Sequence, residues 1–285
     1  MFLPPRKAAT LLTVLPLLVA CHREAPAPVE SMHYELGNGW HGTYGWFYPN
    51  EQFDYHATGL ATIEKDQDSH VTADGEIWSA SSMTGAHQTL QLPAIVNVRN
   101  LENGRIVRIR LNDRGPADQG RILAVSPKVA ELLVMKGDTP VEITEDEQES
   151  HRLSAVLMKT PALVIQSAPV GEVQATSLND GTSRVYGNGS SEADTSRASV
   201  APLPTVWQQG APGPHDLYVL VGIFSGQATA ARVAARCNGT VLHTRDGTGL
   251  DWRVRSGPYR DVSQADEALD HTRLCGVEGA RIIVE

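Results

Sequence analysis

Cysteine, positive charge and long apolar runs are all scarce in this chain of 285 residues. Only three cysteines are present, and no Cys or His pair has the spacing of metal ligands, which argues against a zinc site. The net charge of −9 argues against a nucleic-acid-binding surface. Beyond the N-terminus no stretch is apolar and long enough to span a bilayer. The length suits about two small domains with additional non-globular segments.

The N-terminus predicts a targeting segment. Arg6-Lys7 precedes an apolar run from Ala8 to Ala20, which is typical of a signal sequence and short for a membrane span. The run leads into Leu18-Val19-Ala20-Cys21, which resembles a bacterial lipobox and predicts acylation of Cys21. The alternative is an ordinary signal peptide that happens to precede a cysteine. His22 is not the Asp that resembles an inner-membrane retention signal, so we expect a lipid-anchored protein of the outer membrane that faces the periplasm.

Composition predicts a tether, an aromatic strap and a linker. The Pro-rich, polar residues 22–38 predict a disordered tether, and the predicted strap follows, up to residue 54. From Trp40 to Tyr55 the chain holds a cluster of aromatic residues that either line a sugar groove or, as we expect, pack as a strap on the next domain. Residues 147–215 predict a linker, in which 163–165 form a possible short strand.

Residues 55–146 predict a small closed barrel with one helix. Asn103-Gly104 predicts a type I′ hairpin turn. Ser126 as N-cap and Pro127 predict the start of a helix that ends at Gly137. Six strands are predicted, at Gly59–Ile63, around Ile77–Ser79, and at Ala94–Val98, Ile106–Leu111, Ile122–Val125 and Val141–Thr144.

Residues 216–285 predict the order strand, helix, strand, strand, helix, strand, with the second helix capped by Ser263 and ended by Gly276. This βαββαβ order makes the two helices antiparallel and places Cys237 and Cys275 at opposite ends of the sheet. A disulfide spans no more than about 7 Å between Cα atoms, so we expect these cysteines to be unpaired. An oxidising compartment alone would favour pairing.

The strand pattern singles out Asp113 as a candidate functional residue. It has the parity of Ile109 and Leu111, so we expect its carboxyl to face the apolar interior with them. A carboxyl at the mouth of an apolar interior loses hydration, which favours the protonated form that a general acid requires. The alternative is an ionised turn residue that accepts hydrogen bonds from backbone amides, and spacing alone favours this alternative.

The motifs around Asp113 resemble a known family. Asn112-Asp113-Arg114-Gly115-Pro116, with Ala73-Asp74-Gly75-Glu76 and Ala86-His87 upstream, is similar to the rare lipoprotein A family, the septal lytic transglycosylases of bacterial cell walls. The resemblance covers roughly residues 55 to 144. It implies a six-stranded double-psi β-barrel. It also implies a lyase without a cofactor that cleaves between N-acetylmuramic acid and N-acetylglucosamine and leaves a 1,6-anhydro end.

The same resemblance implies which residues form the site. Asp113 would protonate the leaving oxygen and then accept the proton of the muramyl C6 hydroxyl. Glu76 would orient the substrate or stabilise the oxocarbenium charge, and His87 would bond a carboxylate or a sugar. Arg114 would bind substrate. Taken alone, Glu76 is a turn carboxylate and His87 a satisfied interior histidine.

A second resemblance covers residues 216–285. Tyr218 to Phe224 and Trp252 to Tyr259 are similar to the two signature runs of the sporulation-related repeat domain, whose members bind glycan strands that lack stem peptides. Leu220 stands where that family commonly has Gln. The resemblance and strand parity predict sugar contacts by Tyr218, Phe224, Arg253 and Arg255.

Two positions depart from the barrel family. Ser79 stands three residues after Glu76, where active members have Asp, and Ala124 stands where Asp is frequent. A missing carboxylate can change the protonation of its neighbours and thereby the activity. The alternative function is therefore a non-catalytic, lipid-anchored protein that binds peptidoglycan at division septa.

Overall fold

Two β-sheet units and the segments between them make up the described chain. The computed structural model describes residues 31–65, 68–158, 200–244 and 252–285. The predicted lipobox, the possible strand at 163–165 and most of the predicted linker lie outside these ranges. No helix within them is long and apolar enough to cross a membrane.

The segment before the barrel is attached to it, in contrast to the predicted free tether. Glu35 pairs with Leu92 in an antiparallel bridge, and the Met32 side chain is buried. A hairpin follows, in which β1 (Trp40–His41) pairs antiparallel with β2 (Trp46–Phe47). Local composition does not show that this polar stretch finds backbone partners on the barrel, and for that reason the prediction was wrong for residues 31–37.

Six strands close the barrel, as predicted. They lie in the order β4-β7-β3-β8-β5-β6, and an additional pairing of β4 with β6 closes the ring. The pairs β3–β7 and β4–β6 are parallel, and the others are antiparallel. The strands are β3 (His56–Ile63), β4 (Thr84–His87), β5 (Ala94–Asn100), β6 (Arg105–Arg114), β7 (Leu123–Val125) and β8 (Thr139–Glu145).

Strand β4 lies in a different place from the predicted strand around Ile77–Ser79, where Ile77 makes only a single bridge with Val71. Three of the four residues of β4 are small, and the strand carries no alternation that would predict it. A glycine is required at position 85, because a Cβ atom there would lie 2.6 Å from the carbonyl oxygen of Ala124 on β7. The strand therefore depends on tertiary packing between β6 and β7.

The turn and the helix of the barrel differ from the predictions in detail. Gly104 has φ +77°, but Asn103 has no positive φ, so the turn is not type I′. Instead the Gly104 amide donates to the Asn100 carbonyl and closes a longer turn. Helix α1 (Pro127–Leu133) begins at the predicted N-cap, where Ser126 Oγ accepts from the Val129 amide. It ends at Val134 in the left-handed conformation, before Gly137.

The predicted linker contains regular structure at both ends. Helix α2 (Glu147–Met158) buries Leu153 and Leu157 against Ile95 and Met32. Strand β9 (Trp207–Gln209) adds antiparallel to β6 at the edge of the barrel sheet. Both α2 and β9 are stabilised by contacts with the barrel. The composition of this segment lacks periodicity and does not reveal these tertiary contacts.

The C-terminal unit has the predicted βαββαβ order. Its sheet has the strand order β11-β12-β10-β13, all antiparallel. The N-cap of its second helix is Asp261, which accepts from the Gln264 amide, in place of the predicted Ser263. The elements are β10 (Leu217–Phe224), α3 (Gln227–Arg236), β11 (Thr240–His243), β12 (Trp252–Tyr259), α4 (Val262–Leu274) and β13 (Arg281–Val284).

Cys237 and Cys275 form a disulfide, so the prediction that they are unpaired was wrong. Their Cα atoms are 5.8 Å apart. The prediction assumed that α3 and α4 lie side by side and antiparallel, so that their C-terminal ends, which carry the two cysteines, are at opposite ends of the sheet. Instead, the end of α3 lies against the second half of α4, where Cys237 shares a cavity wall with His271 and Thr272.

The two units are in contact. Thr58 Oγ1 on β3 donates to the Val284 carbonyl on β13 at 2.6 Å. Arg121 forms an ion pair with Asp266 on α4 at 2.5 Å. Leu60 of the barrel packs into the apolar cluster of the C-terminal unit. The contact holds the C-terminal sheet beside the barrel.

Replacing both cysteines by serine should lower the free energy of unfolding of the C-terminal unit by about 2–4 kcal/mol, because the cross-link restricts the unfolded chain. Urea denaturation without reductant measures the loss. Reductant should destabilise the wild type and leave the double variant unchanged. Equal stability of the oxidised wild type and the variant would contradict the cross-link.

Candidate active site

Asp113 lies at a bulge where β6 leaves the barrel. Gly85 of β4 pairs with Leu111, but the next residue, Ala86, pairs with Asp113, so Asn112 is skipped. The alternation that predicted an inward carboxyl is interrupted here. Asn112 is buried, whereas the side chain of Asp113 keeps 23% of its surface exposed at the rim. The bulge removes the parity argument for an inward carboxyl, and the structure shows Asp113 partly buried at the rim of the barrel.

The two oxygens of the Asp113 carboxyl have different surroundings. Oδ1 accepts hydrogen bonds from the amides of Ala73 (3.0 Å) and Arg114 (2.8 Å). These are the backbone contacts expected of a turn residue. Oδ2 lies 3.5 Å from Nε2 of His70. The amides fix the group through one oxygen and leave the other directed at a half-exposed histidine.

His70 was missed by the sequence analysis. Its ring stacks on Trp78, with centroids 5.6 Å apart and an interplanar angle of 14°. The stacking holds Nε2 next to Asp113. His70 is far from Asp113 in the chain and belongs to no motif, so no local signal identifies it.

Glu76 is buried and fully paired. Its Oε1 lies 2.5 Å from Nη2 of Arg110, and its Oε2 accepts from Asn112 Nδ2 at 2.7 Å. Two buried charges require such pairing, because desolvation of either one alone is costly. Since Asn112 precedes Asp113, this bond links Glu76 to Asp113 through the backbone of β6.

Asp74 is a second buried carboxyl beneath the bulge. Its Oδ1 accepts from the Thr72 hydroxyl (2.8 Å) and the Glu76 amide (3.1 Å), while Oδ2 is buried without a hydrogen-bond partner. Burial, followed by repulsion from Glu76, raises the pKa of Asp74 to about 7. Its backbone amide donates to the Asn112 carbonyl. The loop 72–76 is thus bonded to β6 at several points.

His87 is an interior histidine with satisfied nitrogens. Nδ1 accepts from the amides of Thr89 (3.2 Å) and Leu90 (3.1 Å), which places the ring proton on Nε2, opposite the Tyr55 hydroxyl. Burial lowers the pKa of His87 to about 3, so the ring is neutral. Its partners in the described chain are a hydroxyl and two amides, and none of them is a carboxylate.

Arg114 is committed to backbone carbonyls. Its guanidinium donates to the carbonyl of Leu36 at 2.6 Å and to that of Leu90. Burial lowers the pKa of Arg114. The residue ties the segment before the strap to the loop after β4, and these contacts occupy the group that was predicted to bind substrate.

The two departures from the family lie on either side of the site. The Ser79 hydroxyl bonds to Ser81 within its own turn. Ala124 of β7 pairs with Ala86, whose other neighbour is Asp113 on β6. A carboxylate at position 124 would therefore lie on β7, which β4 separates from the strand of Asp113. Within the described ranges, no group of three or more His, Cys, Asp or Glu residues could hold a metal ion.

The C-terminal sheet brings three of its four predicted sugar contacts together. The guanidinium of Arg255 lies 3.8 Å above the ring of Tyr218. Arg253 bonds to Glu285 at 2.7 Å, and Arg255 is also paired with Glu285. Phe224 is separate from this group and packs against the α3 side of the sheet.

The fold and its motifs define a barrel of lytic transglycolase type. The family model described as lytic transglycolase matches residues 55–144, which are the six strands of the barrel. Over the barrel the chain is similar to the rare lipoprotein A proteins, as predicted.

Three relatives carry the name endolytic peptidoglycan transglycosylase RlpA. The Yersinia pestis protein is 34% identical over 151 residues, which are 45% of this chain and 42% of that protein. The Pseudomonas aeruginosa PAO1 protein is 28% identical over 251 residues, 81% of this chain and 72% of that protein. The Vibrio cholerae protein is 49% identical over 57 residues, 20% of this chain and 22% of that protein. The match thus spans less than half of the Yersinia protein.

Asp74→Asn should change the pH dependence of stability. The folded pKa of about 7 exceeds the unfolded value of ~4, so between these values the folded state binds the extra proton. Wild-type stability therefore falls through this window as the pH rises, and the variant lacks that loss. Relative to wild type, the free energy of unfolding of the variant should rise by up to ~1.4 kcal/mol per pH unit, measured by urea denaturation at pH 5, 6 and 7. A difference that is independent of pH would contradict the titration of Asp74.

Proposed function

We propose that this protein is a lytic transglycosylase that cleaves peptidoglycan glycan strands between N-acetylmuramic acid and N-acetylglucosamine. The observation that carries the proposal is the Asp113 carboxyl, which two amides hold through Oδ1 while Oδ2 is presented at the rim of a lytic transglycolase barrel. Relatives named endolytic peptidoglycan transglycosylase support the same substrate class.

One carboxyl carries out both proton transfers. Protonated Asp113 donates to the glycosidic oxygen, and that oxygen leaves with the electron pair of the C1–O bond. The carboxylate then faces the oxocarbenium ion and takes the proton of the muramyl C6 hydroxyl. The C6 oxygen attacks C1 and closes the 1,6-anhydro ring. No water is consumed, and Asp113 regains its proton.

The residues around Asp113 have separate roles in the proposed reaction. His70 faces Oδ2 and can donate a hydrogen bond while Asp113 is ionised between the two transfers. Glu76 is a positioning residue, because its bonds to Arg110 and Asn112 fix the end of β6. His87 holds the loop after β4 through its two amide contacts.

The second candidate function is a non-catalytic protein that binds peptidoglycan at the septum. Ser79 and Ala124 favour it, because both positions lack the acid that the family carries. The two candidates differ in one outcome, which is whether the barrel cleaves a glycan strand at all.

The flanking regions place the barrel on its substrate. The C-terminal sheet binds glycan strands that lack stem peptides, and the arginines at 253 and 255 meet the muramyl carboxylates there. Acylation of Cys21 anchors the chain to the outer membrane, facing the periplasm, so that the protein acts in wall remodelling at division. The clustering of Tyr218, Arg253 and Arg255 supports the first of these statements.

Asp113→Asn should abolish cleavage and preserve binding to stripped glycan strands. The amide is nearly isosteric and keeps an oxygen for the Ala73 amide, but it cannot transfer the proton. We expect the rate to fall by about a hundredfold to ten-thousandfold, measured from the 1,6-anhydro ends that are released. Glu142→Gln, which loses a carboxylate on the barrel surface, is the matched control and should cleave normally.

A structural role of Asp113 would give a different result. The Asn variant would then lose thermal stability, and its activity would fall only with the folded fraction. If the wild type releases no product while Ser79→Asp gains the anhydro product, the non-catalytic candidate is correct.

Cys21→Ser should move the protein from the membrane to the soluble periplasmic fraction, because the lipid is the proposed anchor. Cell fractionation followed by a salt wash measures this shift. Retention of the variant in the outer membrane after the wash would contradict anchoring at Cys21.

A further inference from the structure

The β1–β2 hairpin has two aromatic faces, and its inner face is packed. On this face the rings of Trp40 and Phe47 are 4.7 Å apart, and Phe47 is buried. Trp40 Nε1 donates to the Gln88 carbonyl at 3.0 Å. These contacts fulfil the prediction of a packed strap. They do not account for the opposite face.

The outer face carries exposed, stacked rings. Trp46 is 58% exposed and Tyr48 is 68% exposed. Their ring centroids are 6.4 Å apart with an interplanar angle of 22°, and His41 meets the Trp46 ring edge-on. A short hairpin needs only one buried face for its order. Two large rings held nearly parallel to each other in solvent form an apolar platform that folding does not explain.

The platform is fixed to the loop that follows the candidate acid. The Thr43 amide donates to the carbonyl of Ala117 at 2.9 Å. Gly42 allows this approach, since a Cβ atom there would lie 2.5 Å from the same carbonyl oxygen. Gln88, which anchors Trp40, also donates to the carbonyl of Pro116 at 2.9 Å. The hairpin and the Asp113 loop are therefore one hydrogen-bonded unit.

We propose that Trp46 and Tyr48 form a sugar-binding platform that receives pyranose rings of the glycan strand beyond the residues bound at Asp113. The C–H face of a pyranose is apolar and packs on aromatic rings, and the shared loop joins the platform to the site of cleavage. The identity of the glycan rests on the proposed function. The platform itself requires only a β-1,4-linked chain of N-acetylated sugars.

The test uses the full chain with Trp46→Ala and Tyr48→Ala, singly and together. Leu274→Ala is the control, because it removes an apolar side chain from α4 that is even more exposed than those of the platform. The probes are a hexamer of β-1,4-linked N-acetylglucosamine, with binding followed by calorimetry, and stripped glycan strands, with cleavage followed by product release. Circular dichroism confirms that each variant is folded.

We expect each platform variant to bind the hexamer about tenfold more weakly than wild type, while Trp46→Phe restores most of the affinity. With stripped strands, KM should rise and kcat should stay unchanged, because the platform binds ground and transition states alike. Hexamer binding that depends on Trp46 in a protein that cleaves nothing would sustain the platform and overturn the proposed function.

Two results would overturn the platform. One is normal cleavage with unchanged KM and hexamer affinity in the double variant. The other is a shift of Trp46 fluorescence on anionic phospholipid vesicles with none on the hexamer, which would make this face a membrane contact.

Discussion

The buried ion pair between Glu76 and Arg110 is the constraint on which the site depends. A carboxylate and a guanidinium that are both nearly sealed from solvent stabilise each other in the barrel wall, because either charge would be costly to bury alone. Asn112 supplies the second bond to Glu76 from the same face of β6 as Arg110. The bulge in β6 then pairs the next residue, Asp113, with Ala86 of β4. Asp113 lies at the rim, where its carboxyl accepts from the Ala73 amide.

The barrel and the C-terminal sheet also meet through charge. Arg121 bridges Asp138 of the barrel and Asp266 of α4, at 2.6 Å and 2.5 Å. Arg273 of α4 lies 3.8 Å above the ring of Tyr44 in the hairpin. The hairpin is thus held between the loop that follows Asp113 and the C-terminal unit. A glycan strand that extends from the barrel to the C-terminal unit would pass the aromatic residues of the hairpin.

The regular parts of the fold could be predicted because their signals are local. Alternation located β5 and β6, and Ser126-Pro127 located the start of α1. The features that the sequence did not predict depend on tertiary contacts. β4 is mostly made of small residues, which are required by close packing against its neighbours. Asp113 lies past a bulge, where strand alternation no longer predicts the direction of a side chain. His70 reaches the site from a loop that is distant in the sequence. The Cys237–Cys275 bond depends on the crossing of two helices, which element order alone does not fix.

The chemistry proposed for this site is an intramolecular displacement, in which the substrate's own hydroxyl takes the place of water. Digestion of stripped glycan strands in water enriched in oxygen-18, with mass analysis of the new ends, tests that claim most directly. We predict 1,6-anhydro ends without incorporated oxygen-18. New reducing ends that carry the heavy isotope would show hydrolysis and would contradict the assignment of both proton transfers to Asp113.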